Sequence, residues 1–174
     1  MRPIQYNLKP QDVVILLKIV AYGSEPWQQK PMAESLNMSQ SEISHSLARL
    51  HYAGLLDESG KRVMRLALMD FLQFGLKYVF PQKPGSLVRG VLTAHSAPPL
   101  DKHIVSNENY VWLSATGNAK GYSIVPLYPS VVEAIRNDEK LYQLLALADA
   151  LRVGRARERE LAVKELKQRI LNEK

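Results

Sequence analysis

The chain has 174 residues and no cysteine, with 46% apolar and 23% charged residues. These are the proportions of an ordinary globular protein with enough apolar material for a core, and the missing thiols exclude a disulfide framework, thiolate zinc or iron–sulfur centres and a cysteine nucleophile. The net charge of +6 divides as +1, +3 and +2 over residues 1–75, 76–130 and 131–174, a spread that permits a polyanionic partner without establishing one.

Residues 9–22 (KPQDVVILLKIVAY) predict a helix. Pro10 suits its first position, Asp12 its positive end, and Val13, Leu16, Leu17 and Val20 form an apolar stripe. Gly23-Ser24 and Pro26 end it. A short helix is expected from about Lys30 to Leu36, closed by Asn37, which tolerates a left-handed turn. Ser39 and Glu42 predict a capping box opening a third helix that runs to about Ala53, with Ile43, Leu47 and Leu50 facing the core and Gly54 past its end. Residues 55–66 read as a small hairpin around Glu58-Ser59-Gly60-Lys61.

A helix from about Ala67 to Phe80 follows, apolar on most of its circumference, which predicts burial within the chain or pairing with a second copy. The stretch 82–129 is rich in Pro and Gly, so loops and short strands are expected, with 110–115 pairing 122–127 as a hairpin. Ser130 and Glu133 predict a second capping box, opening C-terminal helices that Gly154 interrupts. Four arginines from Arg152 to Arg159 are interleaved with acids, and Glu160–Lys164 and Glu165–Arg169 are i,i+4 pairs, so this run reads as a solvated, charge-laced helix or a partner surface. The expected fold class is therefore mainly α with small β elements, in three segments: 1–81, 82–129 and 130–174.

The order of helix, short helix, tight turn, capped helix and hairpin resembles a winged helix-turn-helix. Residues 31–56 (PMAESLNMSQSEISHSLARLHYAGLL) are similar to the corresponding unit of bacterial transcription regulators of the MarR type. The likeness rests on Ala33 between two helices, Leu36 before the turn, the Ser-Gln-Ser start, Ile43, Leu47 and Leu50, and Ala53-Gly54-Leu55-Leu56 leading onward. It covers roughly residues 9–66. The likeness implies binding of double-stranded DNA, as a homodimer, by a repressor that occludes a promoter. The turn at 58–61 is shorter than the family's wing and lacks its Asp-Arg pair.

With Ile43, Leu47 and Leu50 inward, Gln40, Ser41, Ser44, His45 and Ala48 share the outer face of the third helix. Such groups can read base edges in a major groove, Gln40 against adenine. Ser39 and Ser41 are placed to meet phosphate at the helix start. Arg49, later on the helix, is expected as a backbone contact, and Lys61, Arg62 and Arg65 as wing cations that touch phosphate or the minor groove. The alternative is a protein-interaction module, an antitoxin or adaptor, that binds a partner protein. Tyr110, Trp112, Tyr122 and Tyr128 are read either as the core of a small satellite fold or as the lining of a pocket for a small-molecule effector.

No enzyme is expected. None of His45, His51, His95 and His103 forms a tight ligand motif, and Asp101-x-His103 with His95 lacks a fourth ligand. Walker, GxSxG and kinase signatures are missing, so no cofactor is expected. No apolar run reaches the length of about 18 residues that a bilayer span needs, and the first dozen residues lack a signal core. No membrane association and a cytoplasmic location are therefore expected.

Overall fold

A computed structural model describes residues 5–172. The fold is mainly helical with one small three-stranded sheet. Helix α1 (Pro10–Tyr22) runs through its centre, and the nine residues from Asp12 to Val20 are all buried. The spacing predicts a single apolar stripe; the run VVILL instead meets protein on every side, with α3 (Gln40–Tyr52) and α7 (Glu139–Val153) both packed on α1. Lys18 fits this interior by reaching Asp138 at 2.6 Å. Asp138 also caps α7, its carboxylate accepting from the Leu141 amide at 3.0 Å.

Helix α2 (Gln29–Leu36) ends at Asn37, which takes the left-handed conformation (φ 50°) that the tight turn requires. Helix α3 then starts at Ser39, whose hydroxyl accepts from the Glu42 amide at 3.1 Å. Only this half of the expected capping box forms, because the Glu42 carboxylate turns to Gln11 and Arg49 instead. The expected hairpin over 55–66 shrinks to a single bridge between Leu56 and Val63. The return strand gives way because helix α4 (Arg65–Asp70) begins at once. A π turn (Phe71–Gly75) and helix α5 (Leu76–Val79) continue it.

The middle segment holds β1 (Leu87–Leu92), β2 (Tyr110–Leu113) and β3 (Ala119–Ser123). The expected hairpin of 110–115 with 122–127 is corrected: β2 and β3 lie parallel, and β1 pairs antiparallel with both. The ribbon thus closes on itself. So tight a curl needs glycine at its contacts. A Cβ on Gly90 would lie 1.9 Å from the Trp112 carbonyl oxygen, and one on Gly117 would lie 2.2 Å from Gly90.

Helix α7 carries this ribbon. The buried Asp149 carboxylate accepts from Thr93 Oγ1 at 2.8 Å and from Trp112 Nε1 at 2.7 Å, and Arg152 lies at 3.0 Å. Burial pushes the Asp149 carboxyl above its ordinary value, against the pull of Arg152, Thr93 and Trp112. The Tyr142 hydroxyl donates to the Leu92 carbonyl at 2.6 Å, and burial pushes that phenol up to about 12. The second expected capping box does not form: Ser130 donates to the Leu36 carbonyl, and the helix it precedes, α6, is only Val131–Ala134. Gly154 separates α7 from α8 (Ala156–Leu171), which folds back against α7 and α4. Of the expected charge pairs on α8, Arg169 with Glu165 is present.

Candidate nucleic-acid interface

The third helix divides along its length into two faces. Ile43, Ser46, Arg49 and Leu50 are buried, and Leu47 is half-buried. Ser39, Gln40, Ser41, Ser44, His45 and Ala48 are all exposed, forming one polar arc that opens at the helix N-terminus. This is the arrangement expected from the periodicity. Backbone amides at the start of the arc carry the positive end of the helix dipole.

Arg49 is not on that arc. Its guanidinium bonds Asp12 through Nε at 2.9 Å and Nη2 at 2.8 Å, and Nη2 also reaches Glu42 Oε1 at 3.0 Å. Ser46 Oγ donates to the same Asp12 carboxylate at 2.6 Å. The expected phosphate contact at Arg49 is therefore corrected to an internal clamp between α1 and α3. Glu42, Ser46 and Arg49 lie within about 60° of one another at 3.6 residues per turn, on the flank that meets the start of α1. The bonds to Asp12 raise the guanidinium above its ordinary value. Burial works to raise the Glu42 carboxyl, but bonds from Gln11 and Arg49 and the Arg49 charge outweigh it, holding it below the usual carboxylate range. Sequence reasoning does not find Asp12, Ser46 and Glu42 as a cluster; the available signal is a polar strip beside the Ile43–Leu50 stripe.

Lys61 and Arg62 are exposed at the 57–62 turn. Asp57 organises that turn, its carboxylate accepting from Ser59 Oγ at 2.6 Å and from the Arg62 amide at 3.2 Å. The Ser59 bond leads the causes that lower the Asp57 carboxyl. Gly60 (φ 71°) supplies the positive φ at its tip. Trp27 pins the turn to the α1–α2 loop: its Nε1 donates to the Lys61 carbonyl at 3.2 Å, and the Lys61 ammonium lies 4.1 Å from the ring centroid. Arg65 is corrected as well, since it belongs to α4 and its guanidinium donates to the Ile170 carbonyl at the end of α8.

The other candidates do not converge. His95 is buried, with Nε2 on the Glu108 carbonyl at 2.8 Å, whereas Asp101 and His103 are exposed. Among the described residues, no group of three or more His, Asp or Glu could hold a metal ion. Of the aromatics expected to line an effector pocket, Trp112 is committed to the core and to Asp149. No described helix is long and apolar enough to cross a membrane. No protein-family model, no curated protein and no solved structure matches the chain.

Proposed function

We propose that this chain binds duplex DNA through the N-terminal half of α3, acting as a pair of like chains in control of transcription. The observation that carries the reading is the polar arc. Ser39, Gln40, Ser41, Ser44 and His45 stand in solvent while α3 is held from beneath by Ile43, Leu50 and the Arg49–Asp12 clamp. An α-helix so presented fits a major groove with its first turns toward base edges. Gln40 is suited to two-point contact with adenine, and the α3 amides with Ser39 and Ser41 to phosphate. Lys61 and Arg62 supply the cations on a short wing. Occlusion of a promoter is the simplest regulatory consequence.

With Arg49 and Arg65 internal, four cations remain for a pair of chains, Lys61 and Arg62 on each. Four phosphate contacts predict a slope of log affinity against log salt of about −3.6. Fluorescence anisotropy with DNA from the region upstream of the protein's own gene measures it. Gln40→Ala is expected to relax sequence preference by ~1–3 kcal/mol. Lys61→Ala weakens all sequences alike and reduces the slope by about one for each phosphate that goes unneutralised. Binding with no sequence preference, or none at low salt, overturns the reading.

A protein-interaction module, an antitoxin or adaptor, is the second reading. It draws on the exposed face of α3, which carries neither Lys nor Arg. That reading expects a stoichiometric partner protein on purification and no DNA affinity.

A further inference from the structure

Between the α1–α2 loop and the segment 61–65 lies a cleft of about 610 Å³, within the size range of small-molecule sites. Its floor is apolar, made by the buried Ile19 and Val20 at the end of α1 and by half-buried Val63. Half-buried Trp27 lines it as well. Lys61, Arg62 and Arg65 complete it, and the acid that lines it with them is exposed Glu25. Three cations thus share the cleft with one carboxylate. Among the described residues none of the three is in an ion pair. Asp57 is close by, but its carboxylate serves the turn, accepting from Ser59 Oγ and the Lys61 and Arg62 amides. Arg65 is half-buried, and its Nη1 is fixed on the Ile170 carbonyl at the end of α8. Its Nε and Nη2 are left without a bonded acceptor among the described residues. A guanidinium partly withdrawn from water and lacking a carboxylate is completed by an anion. The bond to Ile170 sets its aim in advance, and its planar fork matches two oxygens of a phosphate.

We propose that this cleft binds a phosphate monoester carried on a flat ring, the chemistry of a nucleoside monophosphate. Charge selects the phosphate. Such a group carries about −1.5 to −2 at neutral pH, which offsets the excess of cations over Glu25 where a single carboxylate does not. Arg62 and Arg65 hold its oxygens. Trp27 selects the ring. The indole is fixed by its Nε1 bond to the Lys61 carbonyl, and the Lys61 ammonium rests 4.1 Å from its ring centroid. That ammonium rides on a flexible four-carbon stem. It moves to the phosphate and yields the indole face to the ring of the ligand, which stacks there above the apolar floor. The assignment stands apart from the reading of α3, and only one consequence rests on that reading: a bound dianion withdraws Lys61 and Arg62 from the DNA backbone and weakens DNA binding.

Isothermal titration calorimetry of the full chain without DNA tests the proposal, with AMP, adenosine and inorganic phosphate as probes. AMP is expected to bind once per chain, at least about tenfold tighter than adenosine or phosphate, because each of those fills only one part of the cleft. Arg65→Gln and Arg62→Gln each weaken AMP about tenfold and leave adenosine unchanged. Arg62 is exposed, so its variant decides the matter if loss of the Ile170 bond unfolds Arg65→Gln. Tryptophan emission is expected to change as AMP binds and to stay constant in Trp27→Phe, where the remaining Trp112 is buried in the core. No saturation by millimolar AMP overturns the proposal, as do AMP binding no tighter than phosphate, affinity indifferent to both arginine variants, or an emission change that survives Trp27→Phe. Cations that serve only the DNA backbone give the first of these results. The two readings fail separately: Gln40→Ala leaves AMP binding unchanged, and a chain that binds AMP without DNA affinity overturns only the reading of α3.

Discussion

Arg49 shows how one side chain fixes what α3 can offer. Its side chain is 9% exposed and that of Asp12 is fully buried, so the pair sits where breaking it leaves an uncompensated charge. Arg49→Ala is expected to cost ~3–5 kcal/mol, read as a shift in the denaturation midpoint, whereas exposed Ser44→Ala lies within about 0.5 kcal/mol. Acid reveals part of the same clamp. The Glu42 carboxyl is lowered in the folded state, so its stabilisation is present above its unfolded value of ~4.3 and is lost as pH falls through the lowered folded value. Arg49→Ala leaves the Gln11 bond but removes the bond and charge of Arg49 that also lower it, and the acid-limb difference between variant and native chain narrows. Periodicity makes the exposed arc of α3 legible, since only residue spacing decides which side chains face solvent. It cannot place Arg49, because a cation on the border of the inward stripe goes wherever a buried acid waits, and Asp12 is 37 positions away.

The elements divide by the kind of force that makes them. α1 to α3 are legible from Pro10, Asn37, Ser39 and Gly54, all local signals for starts and stops. Ser130–Glu133 has the same spacing as Ser39–Glu42, yet its hydroxyl is drawn to the Leu36 carbonyl and Asp138 caps the longer helix instead. A local motif yields to a partner 94 residues away. The ribbon is illegible for the same reason: β1 is divided by Gly90, whose role is steric and lies across the sheet. Gly90→Ala puts a Cβ into the Trp112 backbone. We expect a cost of at least ~1–3 kcal/mol, the usual range for overpacking. Near-ultraviolet circular dichroism follows the Trp112 environment, and an unchanged spectrum and stability would refute the closed ribbon.

Across the whole molecule, one apolar cluster links the three segments that composition alone separates. Leu16 and Leu36 from the first, Trp112 and Ile124 from the second, and Leu144 and Leu166 from the third all belong to it. Polar contacts reinforce the junctions: Lys18 pairs with Asp138 between α1 and α7, and Asp149, paired with Arg152 within α7, accepts from Thr93 and Trp112 of the middle segment while Arg152 donates to the Phe80 carbonyl. Burial of α1 on all sides makes it common property of the N-terminal helices and the C-terminal pair, so neither can lose it and remain folded. Unfolding is therefore expected as one cooperative transition. The two tryptophans allow a direct check. With Trp27→Phe, fluorescence reports Trp112 in the ribbon alone, while far-ultraviolet circular dichroism reports the helices. Coincident midpoints in urea are expected. A Trp112 transition at lower urea than the helical one would mean that the ribbon opens while α1 and α7 stay packed. The Asp149 bonds to Thr93 and Trp112 would then be too weak to couple the two layers.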